Sequence, residues 1–150
     1  MHDHFDPAEF LSVTGDAVVA ANARGEIIYW NPAATRLFGH TQEEAMGRPL
    51  DLIIPERLRA RHWEGFRQVM ETGKSRYGAG DLLAVPAQRK DGTRVSVEFT
   101  IVPLHDNAGR MLGMAAILRD VTPRFNEMKA LKDQLAAAKR AALHSTGKRE

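Results

Sequence analysis

The 150-residue sequence contains no cysteine, so it can form no disulfide and no thiolate metal site, and it has no cysteine nucleophile. It also lacks long apolar runs: none approaches the roughly 20 residues that a membrane-spanning helix needs. The net charge is only +2, which predicts no strong field for nucleic acid. The N-terminal MHDHFDPAEF lacks the apolar segment of a signal peptide. These absences predict a cytoplasmic protein, or a cytoplasmic part of a larger one, that binds neither nucleic acid nor a membrane.

The sequence also lacks the residue arrangements on which most enzymes depend. Asp, Glu and His are scattered, without a nucleophile, a base and an orienting group at a recognisable spacing. His40 and His105 have no partner that is visible in the sequence. The short glycine-containing stretch 78–80 precedes a predicted strand rather than a helix, so it is not a phosphate-binding loop. We therefore predict that this chain is not itself an enzyme.

What is present is the composition of a soluble globular domain, with 43% hydrophobic and 27% charged residues. The periodicity predicts a short N-terminal helix, two strands, short helical pieces, one longer helix and three strands joined by hairpins. The main elements are residues 7–13, 17–21, 26–30, 55–73, 82–87, 94–102 and 110–118. This order predicts an α+β fold, an antiparallel sheet with helices over one face. The last strand is apolar on both of its faces, which predicts that it is central in the sheet.

The predicted helix 55–73 carries a histidine where helical spacing calls for a hydrophobic residue. The apolar stripe of this helix consists of Leu58, His62, Phe66, Val69 and Met70. A buried imidazole needs a partner for at least one ring nitrogen, because burying it unpaired is costly. The partner could be a backbone carbonyl, another side chain, a water molecule or a metal. The residues alone leave these alternatives open.

The C-terminal segment predicts a separate helix, capped by Thr122 and covering residues 123–144. Its apolar residues recur at steps of three and four: Met128, Leu131, Leu135, Ala138 and Ala142. A seam of about two heptads favours a homodimeric coiled coil, and an amphipathic tail folded on its own domain is the alternative. We accordingly divide the chain into an N-terminal cap helix (1–14), a central domain (15–122), this helix, and a disordered tail (145–150).

Several short motifs, taken together, resemble those of the PAS domain family. They are GEIIYWNPAA (25–34), LFG (37–39), TQEE (41–44), RKDGT (89–93) and ILRDVT (117–122). The resemblance implies the PAS fold, a five-stranded antiparallel sheet with short helices that form a pocket over its inner face. It also implies a sensor or interaction module that is coupled to an effector such as a kinase or a cyclase. The closing Asp-Val-Thr and the helix after it resemble the output junction of the family.

A narrower resemblance concerns His62. In the PAS domains of haem-based oxygen-sensor kinases and phosphodiesterases, the proximal iron ligand is a histidine on this helix, eleven residues before a helix-ending glycine. His62 lies eleven residues before Gly73. The resemblance implies a b-type haem with His62 as axial metal ligand, and a sensor of redox state or of a diatomic gas (CO, NO or O₂). The other residues expected to bind the cofactor are apolar: Leu58, Phe66, Met70, Leu82, Leu83, Phe99 and Ile101.

The sequence departs from that subgroup on the opposite side of the expected pocket. Several oxygen-binding members place an arginine on the strand after the helix, where this chain has Leu82 and Leu83. An apolar face there favours CO or NO over a polar iron–oxygen complex, and Met111 or Met114 is a candidate sixth ligand. The alternatives are a pocket for a flavin (without a cysteinyl adduct) or another small molecule, a cofactor-free dimerisation module, and a purely structural His62.

Overall fold

The computed structural model describes residues 3–74 and 83–147. The helices in these ranges are α1 (Pro7–Val13), α2 (Pro32–Phe38), α3 (Gln42–Ala45), α4 (Arg59–Thr72) and α5 (Thr122–Gly147). The strands are β1 (Ala17–Asn22), β2 (Ile27–Trp30), β3 (Leu83–Gln88), β4 (Arg94–His105) and β5 (Met111–Asp120). Two 3₁₀ turns, Leu50–Ile53 and Glu56–Leu58, lie between α3 and α4. The chain divides into two units after Asp120, so that α5 belongs to a unit of its own.

The five strands form one antiparallel sheet in the order β2-β1-β5-β4-β3. β5 is the central strand, which confirms the prediction from its apolar residues on both faces. The predicted α+β fold, a five-stranded antiparallel sheet with helices and a C-terminal helix, is likewise confirmed.

The core lies between helix α2 and one face of the sheet, which we call the inner face and which carries Val19, Val95 and Leu118. Trp30 and Phe38 are the largest fully buried side chains of this core, and their ring centroids lie 5.6 Å apart. Full burial of side chains of this size contributes about 1.5–3 kcal/mol each. The packing of Trp30 and Phe38 therefore anchors α2 on the sheet. Later elements also contribute to the core, through Ala45 of α3 and Ile53 of the first 3₁₀ turn.

Asn31 links the N-terminal helix, the sheet and α2 through four hydrogen bonds. Its Oδ1 accepts from the backbone N–H of Val18 and of Ala34, both at 2.9 Å. Its Nδ2 donates to the carbonyl oxygens of Leu11 (2.9 Å) and Asp16 (3.0 Å). Because Asn31 is only 1% exposed, every polar group of its side chain has to be satisfied within the protein. The same side chain caps the start of α2, as Asn-Pro predicts.

The start of the longer helix differs from the prediction. α4 begins at Arg59 and not at Pro55, because Pro55 has extended backbone angles (φ −54°, ψ 140°) and a 3₁₀ turn follows it. Leu58 is therefore the N-cap residue of α4 and does not belong to its apolar stripe. The predicted C-terminal stop is confirmed, since Gly73 adopts the left-handed conformation at φ 68°.

Two other elements extend beyond their predicted ends. β4 continues through Pro103 to His105, whereas the sequence predicted its end at residue 102. Among the described residues, the pairing of β3 with β4 runs from Arg94 to Phe99 on β4. Pro103 lies outside this paired stretch, so its lack of a backbone N–H removes none of the described hydrogen bonds between β3 and β4. Helix α5 extends to Gly147, three residues past the predicted end at 144. Leu82, with which the third strand was predicted to begin, lies outside the described residues.

Candidate functional site

His62 packs among aromatic side chains on helix α4. Its ring centroid lies 4.9 Å from that of Trp63 and 6.1 Å from that of Phe66. The Nδ1 atom is buried and finds no hydrogen-bond partner among the residues that the structure describes. Buried polar atoms are nearly always paired, so an unpaired ring nitrogen marks a place where a further group would complete the structure.

The surroundings of His62 keep its ring uncharged. Burial lowers the pKa of His62 below its ordinary value of 6.5, and the nearby Asp51 carboxylate opposes this with a smaller raising effect. At neutral pH the imidazole is therefore neutral and keeps a lone pair on one nitrogen. That is the form of histidine that binds metal ions.

Contacts at its first turns hold α4 in place. The Trp63 Nε1 atom donates a 2.7 Å hydrogen bond to Asp51 Oδ1, and the Arg59 Nε atom donates to the carbonyl oxygen of Ile54 at 3.0 Å. The six-membered part of the Trp63 indole lies directly against Gly25, where a Cβ atom would overlap the ring. These contacts fix the helix at the residue next to His62. The roles of Asp51 and Trp63 in positioning α4 were not predicted from the sequence. The feature that could have indicated them is the indole N–H of Trp63, because a partly buried indole N–H needs a hydrogen-bond acceptor.

The far end of α4 reaches the hairpin between β4 and β5. A Cβ atom at Gly73 would lie 3.8 Å from His105 Nε2 and 4.0 Å from Met111 Sδ. Met111 therefore lies near the C-terminal stop of the helix. His62 is nearly three turns earlier in the chain, so Met111 is poorly placed to act as the sixth ligand that the sequence suggested.

The sheet brings several predicted pocket residues onto its inner face. Directly opposed residues of antiparallel strands share a face, and Leu83 pairs with Phe99, which pairs with Leu118. Ile101 lies two residues after Phe99 on β4, and Met114 lies four residues before Leu118 on β5. Because alternate residues of a strand share a face, both lie on the same face as that pair. All four predicted residues on this face are only partly buried: Leu83, Phe99, Ile101 and Met114.

The remaining predicted pocket residues have mixed positions. On α4, Phe66 is buried and Met70 is partly buried, so both belong to the half of the helix that is turned away from solvent. Leu58 is partly buried and is the N-cap residue of α4, so it lies at the end of the helix and not among the inward-facing residues of its middle turns. The position of Leu82 is not described.

Two broader properties bear on what this site could hold. Within residues 3–74 and 83–147, no group of three or more His, Asp or Glu side chains converges as a metal site. In the same ranges no helix combines the length and the apolar character needed to cross a membrane.

This architecture, a five-stranded antiparallel sheet with helices packed over its inner face, defines a PAS-type domain. The PAS fold family matches residues 11–125, and the chain belongs to this family. A solved structure with the same fold is the PAS domain of a Colwellia psychrerythraea protein, with a TM-score of 0.68 and 24% identity over 77% of this chain and 94% of that chain.

Relatives by sequence include larger signalling proteins. The chain is 28% identical to the oxygen sensor protein DosP of Escherichia coli over 89% of this chain, and 30% identical to the sensor protein FixL of Bradyrhizobium diazoefficiens over 82%. It is 37% identical to an uncharacterised Azorhizobium caulinodans protein over 81% of this chain. The matches span 16%, 24% and 16% of the lengths of DosP, FixL and the Azorhizobium protein.

Proposed function

We propose that this PAS domain binds one b-type haem, with His62 as the axial ligand of the iron. The observation that carries the proposal is the partly buried His62 ring beside Phe66 on α4, whose Nδ1 atom has no hydrogen-bond partner among the described residues. The neutral state of the ring and the eleven-residue spacing to Gly73 support it. A relative that is named an oxygen sensor supports the same class of function.

The residues that we assign to the haem site have apolar side chains, which suit a flat apolar group. We assign Phe66 and Met70 to the α4 side of the site. Leu83, Phe99 and Ile101 share the inner face of the sheet, and we assign them to the opposite wall, with Leu82 added to that wall and Leu58 to its edge from the sequence. When bound, the haem supplies an iron centre that can take up a gas or change its oxidation state. The protein contributes one basic nitrogen and an apolar surface that excludes water.

The composition of the opposite wall sets the expected choice of gas. Leu83, Phe99 and Ile101 carry no hydrogen-bond donor, so this wall would offer no polar group to a gas held at the haem. CO and NO depend less on such a donor, and we therefore assign them as the preferred ligands, with a redox change as the other signal. Met114, on the same face as Ile101, is the better placed of the two candidate sixth ligands.

The output side of the proposal rests on β5 and α5. β5 lies at the centre of the sheet and ends at Asp120, and α5 begins at Thr122. A change at the inner face would reach this junction through the central strand, because that strand is bonded to both β1 and β4. We assign α5 as a homodimerisation helix that passes the signal to an effector such as a kinase or a cyclase.

The absorption spectrum of the purified chain, produced with haem supplied, tests the proposal. We expect a Soret band that shifts when CO is added to the reduced protein. His62→Ala should abolish the band, whereas His105→Ala, which removes an exposed imidazole from the β4–β5 hairpin, should retain it. For His62→Gly, added imidazole should restore the band, which distinguishes loss of the ligand from loss of the fold.

Other spectra would support other functions. A flavin spectrum would favour the flavin-binding alternative, in which His62 is an ordinary pocket residue. The absence of any chromophore under these conditions, or a Soret band that His62→Ala leaves unchanged, contradicts the assignment of His62. A colourless chain that still dimerises would indicate a cofactor-free interaction module.

A further inference from the structure

A cavity of about 340 Å³ has a wall that does not include His62. Its wall is formed by His40 and by residues from three other places: the 3₁₀ turn Leu50–Ile53 and the residues just before it, the start of α4, and the end of β3 together with the β3–β4 turn. The charged and titratable residues in this wall are His40, Arg48, Asp51, Arg59, Arg89 and Lys90. Four of these six carry a full positive charge and one carries a negative charge, so the cavity is predominantly cationic.

His40 is buried in the wall of this cavity and has unused bonding capacity. The residue is only 8% exposed, and its Nε2 atom is buried with no hydrogen-bond partner among the described residues. The ring stands edge-on to Trp30 at 6.3 Å, and the His40 carbonyl oxygen accepts a 3.2 Å hydrogen bond from Trp30 Nε1. The backbone of His40 is thus tied to the core, which keeps the imidazole at the cavity.

Two of the cations in the wall are not neutralised by a described carboxylate. Arg48 makes no ion pair with any residue in the described ranges. The Arg59 guanidinium is bonded to two backbone carbonyl oxygens, those of Ile54 (3.0 Å) and Asp51 (3.3 Å), which leave its charge in place. Asp51 is the one acid in the wall, and its Oδ1 atom is already engaged by Trp63.

The other two cations are partly compensated. Arg89 pairs with Asp120 at 3.3 Å, and Lys90 pairs with Glu44 at 2.6 Å. Both pairs are accessible to solvent, so they can rearrange at small cost when a competing anion arrives. The cavity wall therefore combines guanidinium charges that no described carboxylate neutralises, exchangeable ion pairs, and a buried imidazole nitrogen without a hydrogen bond among the described residues.

We propose that this cavity binds a small multivalent anion with phosphate or carboxylate oxygens, held by Arg48 and Arg59, with His40 Nε2 as an additional donor. Guanidinium groups match both kinds of oxyanion with paired N–H donors. A volume of about 340 Å³ suits a small metabolite rather than a macromolecule. The proposal does not require haem at His62, although Asp51 and Arg59 connect the cavity wall to α4.

Calorimetric titration with inorganic phosphate and, separately, with citrate, in a buffer free of both, tests this proposal. We expect one anion or both to bind, and Arg48→Gln to weaken binding by at least about tenfold. Arg48 is exposed, so its replacement should leave the fold intact. The matched control is Arg61→Gln, which makes the same change in net charge at an exposed position outside the cavity wall and should leave binding nearly unchanged.

The pH dependence provides a second measurement. Burial lowers the pKa of His40; Glu44 opposes this effect, while Lys90 and Arg48 add to it. A bound anion favours the protonated ring, but phosphate and citrate also take up protons as the pH falls. We therefore expect the affinity of the wild type to rise relative to that of His40→Gln as the pH is lowered below the ordinary histidine range.

The possible outcomes distinguish a phosphate site from a carboxylate site, and they also show when the proposal is wrong. Binding of phosphate alone assigns phosphate or phosphate esters, and binding of citrate alone assigns polycarboxylates. The proposal is overturned if neither anion produces a heat of binding. It is also overturned if Arg48→Gln and Arg61→Gln lose affinity equally, because the anion would then be attracted by the net charge of the protein and not by this cavity.

Discussion

The contact between Gly25 and the Trp63 indole yields a sharp prediction about how the His62 helix is held. Gly25 has φ +77°, and a Cβ atom there would overlap two atoms of the indole ring. Gly25→Ala therefore combines a left-handed alanine, which costs about 1 kcal/mol, with overpacking, which costs about 2 kcal/mol. The ring can escape only by moving, which would stretch its 2.7 Å hydrogen bond to Asp51. We expect a total loss of about 3 kcal/mol in the free energy of unfolding.

Gly47→Ala is the matched control for this experiment. Gly47 has φ +80°, but no atom lies within 4 Å of a Cβ built on it, so its replacement incurs the backbone cost alone. Urea unfolding followed by circular dichroism should show Gly25→Ala to be less stable than Gly47→Ala by about 2 kcal/mol. Equal losses in the two variants, within about 0.5 kcal/mol, would refute the view that Gly25 supports α4 through Trp63.

Three further predictions concern other parts of the chain. Asn31→Ala should lower the free energy of unfolding by about 3 kcal/mol, because it leaves several buried backbone groups unpaired; a loss under about 1 kcal/mol would contradict this. The hydrogen bond from Lys90 lowers the pKa of Glu44 to about 2, so this carboxylate stabilises the fold above its ordinary pKa of 4.5 and loses that effect as the pH falls toward 2. Unfolding curves of Glu44→Gln should therefore differ from wild type at neutral pH and converge with it in strong acid, and a constant difference would argue against the pair. Leu131 and Leu135 are 53% and 56% exposed on α5, and replacing both with Gln should yield a monomer by light scattering, whereas Lys132→Gln should not; an unchanged mass would disprove dimerisation through this seam.

The elements that the sequence predicted well are those whose signals are local. The alternation in β4 and the apolar character of β5 indicated their strands, and the central position of β5 was predicted from the apolar residues on both of its faces. The TQEE segment forms a capping box, which its Thr and Glu three residues apart favour: the Thr41 hydroxyl accepts from the Glu44 N–H, and the Glu44 carboxylate accepts from the Thr41 N–H, both at 3.1 Å. Such signals involve residues three apart, so they do not depend on the rest of the fold.

The boundaries that were wrong depend on neighbours that are distant in the sequence. Pro55 is compatible with the first turn of a helix, but the chain from Ile54 to Leu58 has to cross from one 3₁₀ turn to the next, and Arg59 donates back to the carbonyl oxygen of Ile54. The continuation of β4 past Pro103 follows its pairing with β5, which lies later in the chain. Neither constraint is visible in a window of sequence.

The two imidazoles illustrate the same limit at the level of the site. Helical spacing predicted that His62, which is partly buried, faces inward, because its neighbours on the stripe are apolar. No comparable pattern surrounds His40, which is buried, stands edge-on to Trp30 and lies near the charge of Lys90, a residue far away in the sequence. Periodicity can therefore indicate a buried residue on a regular element, but it cannot indicate one whose cover comes from several separate loops.

The position of Asp51 determines which substitutions can test the two sites separately. Asp51 is part of the wall of the cationic cavity, and its Oδ1 atom also holds Trp63, the residue next to His62. Arg59 has the same double role, since it lines the cavity and begins the helix that carries His62. Replacing either residue would disturb both sites at once, and the loss of one ligand could not be separated from the loss of the other. Arg48 and His62 each belong to one site alone, so a haem spectrum that Arg48→Gln leaves intact and an anion affinity that His62→Ala leaves intact would establish that the two sites are independent.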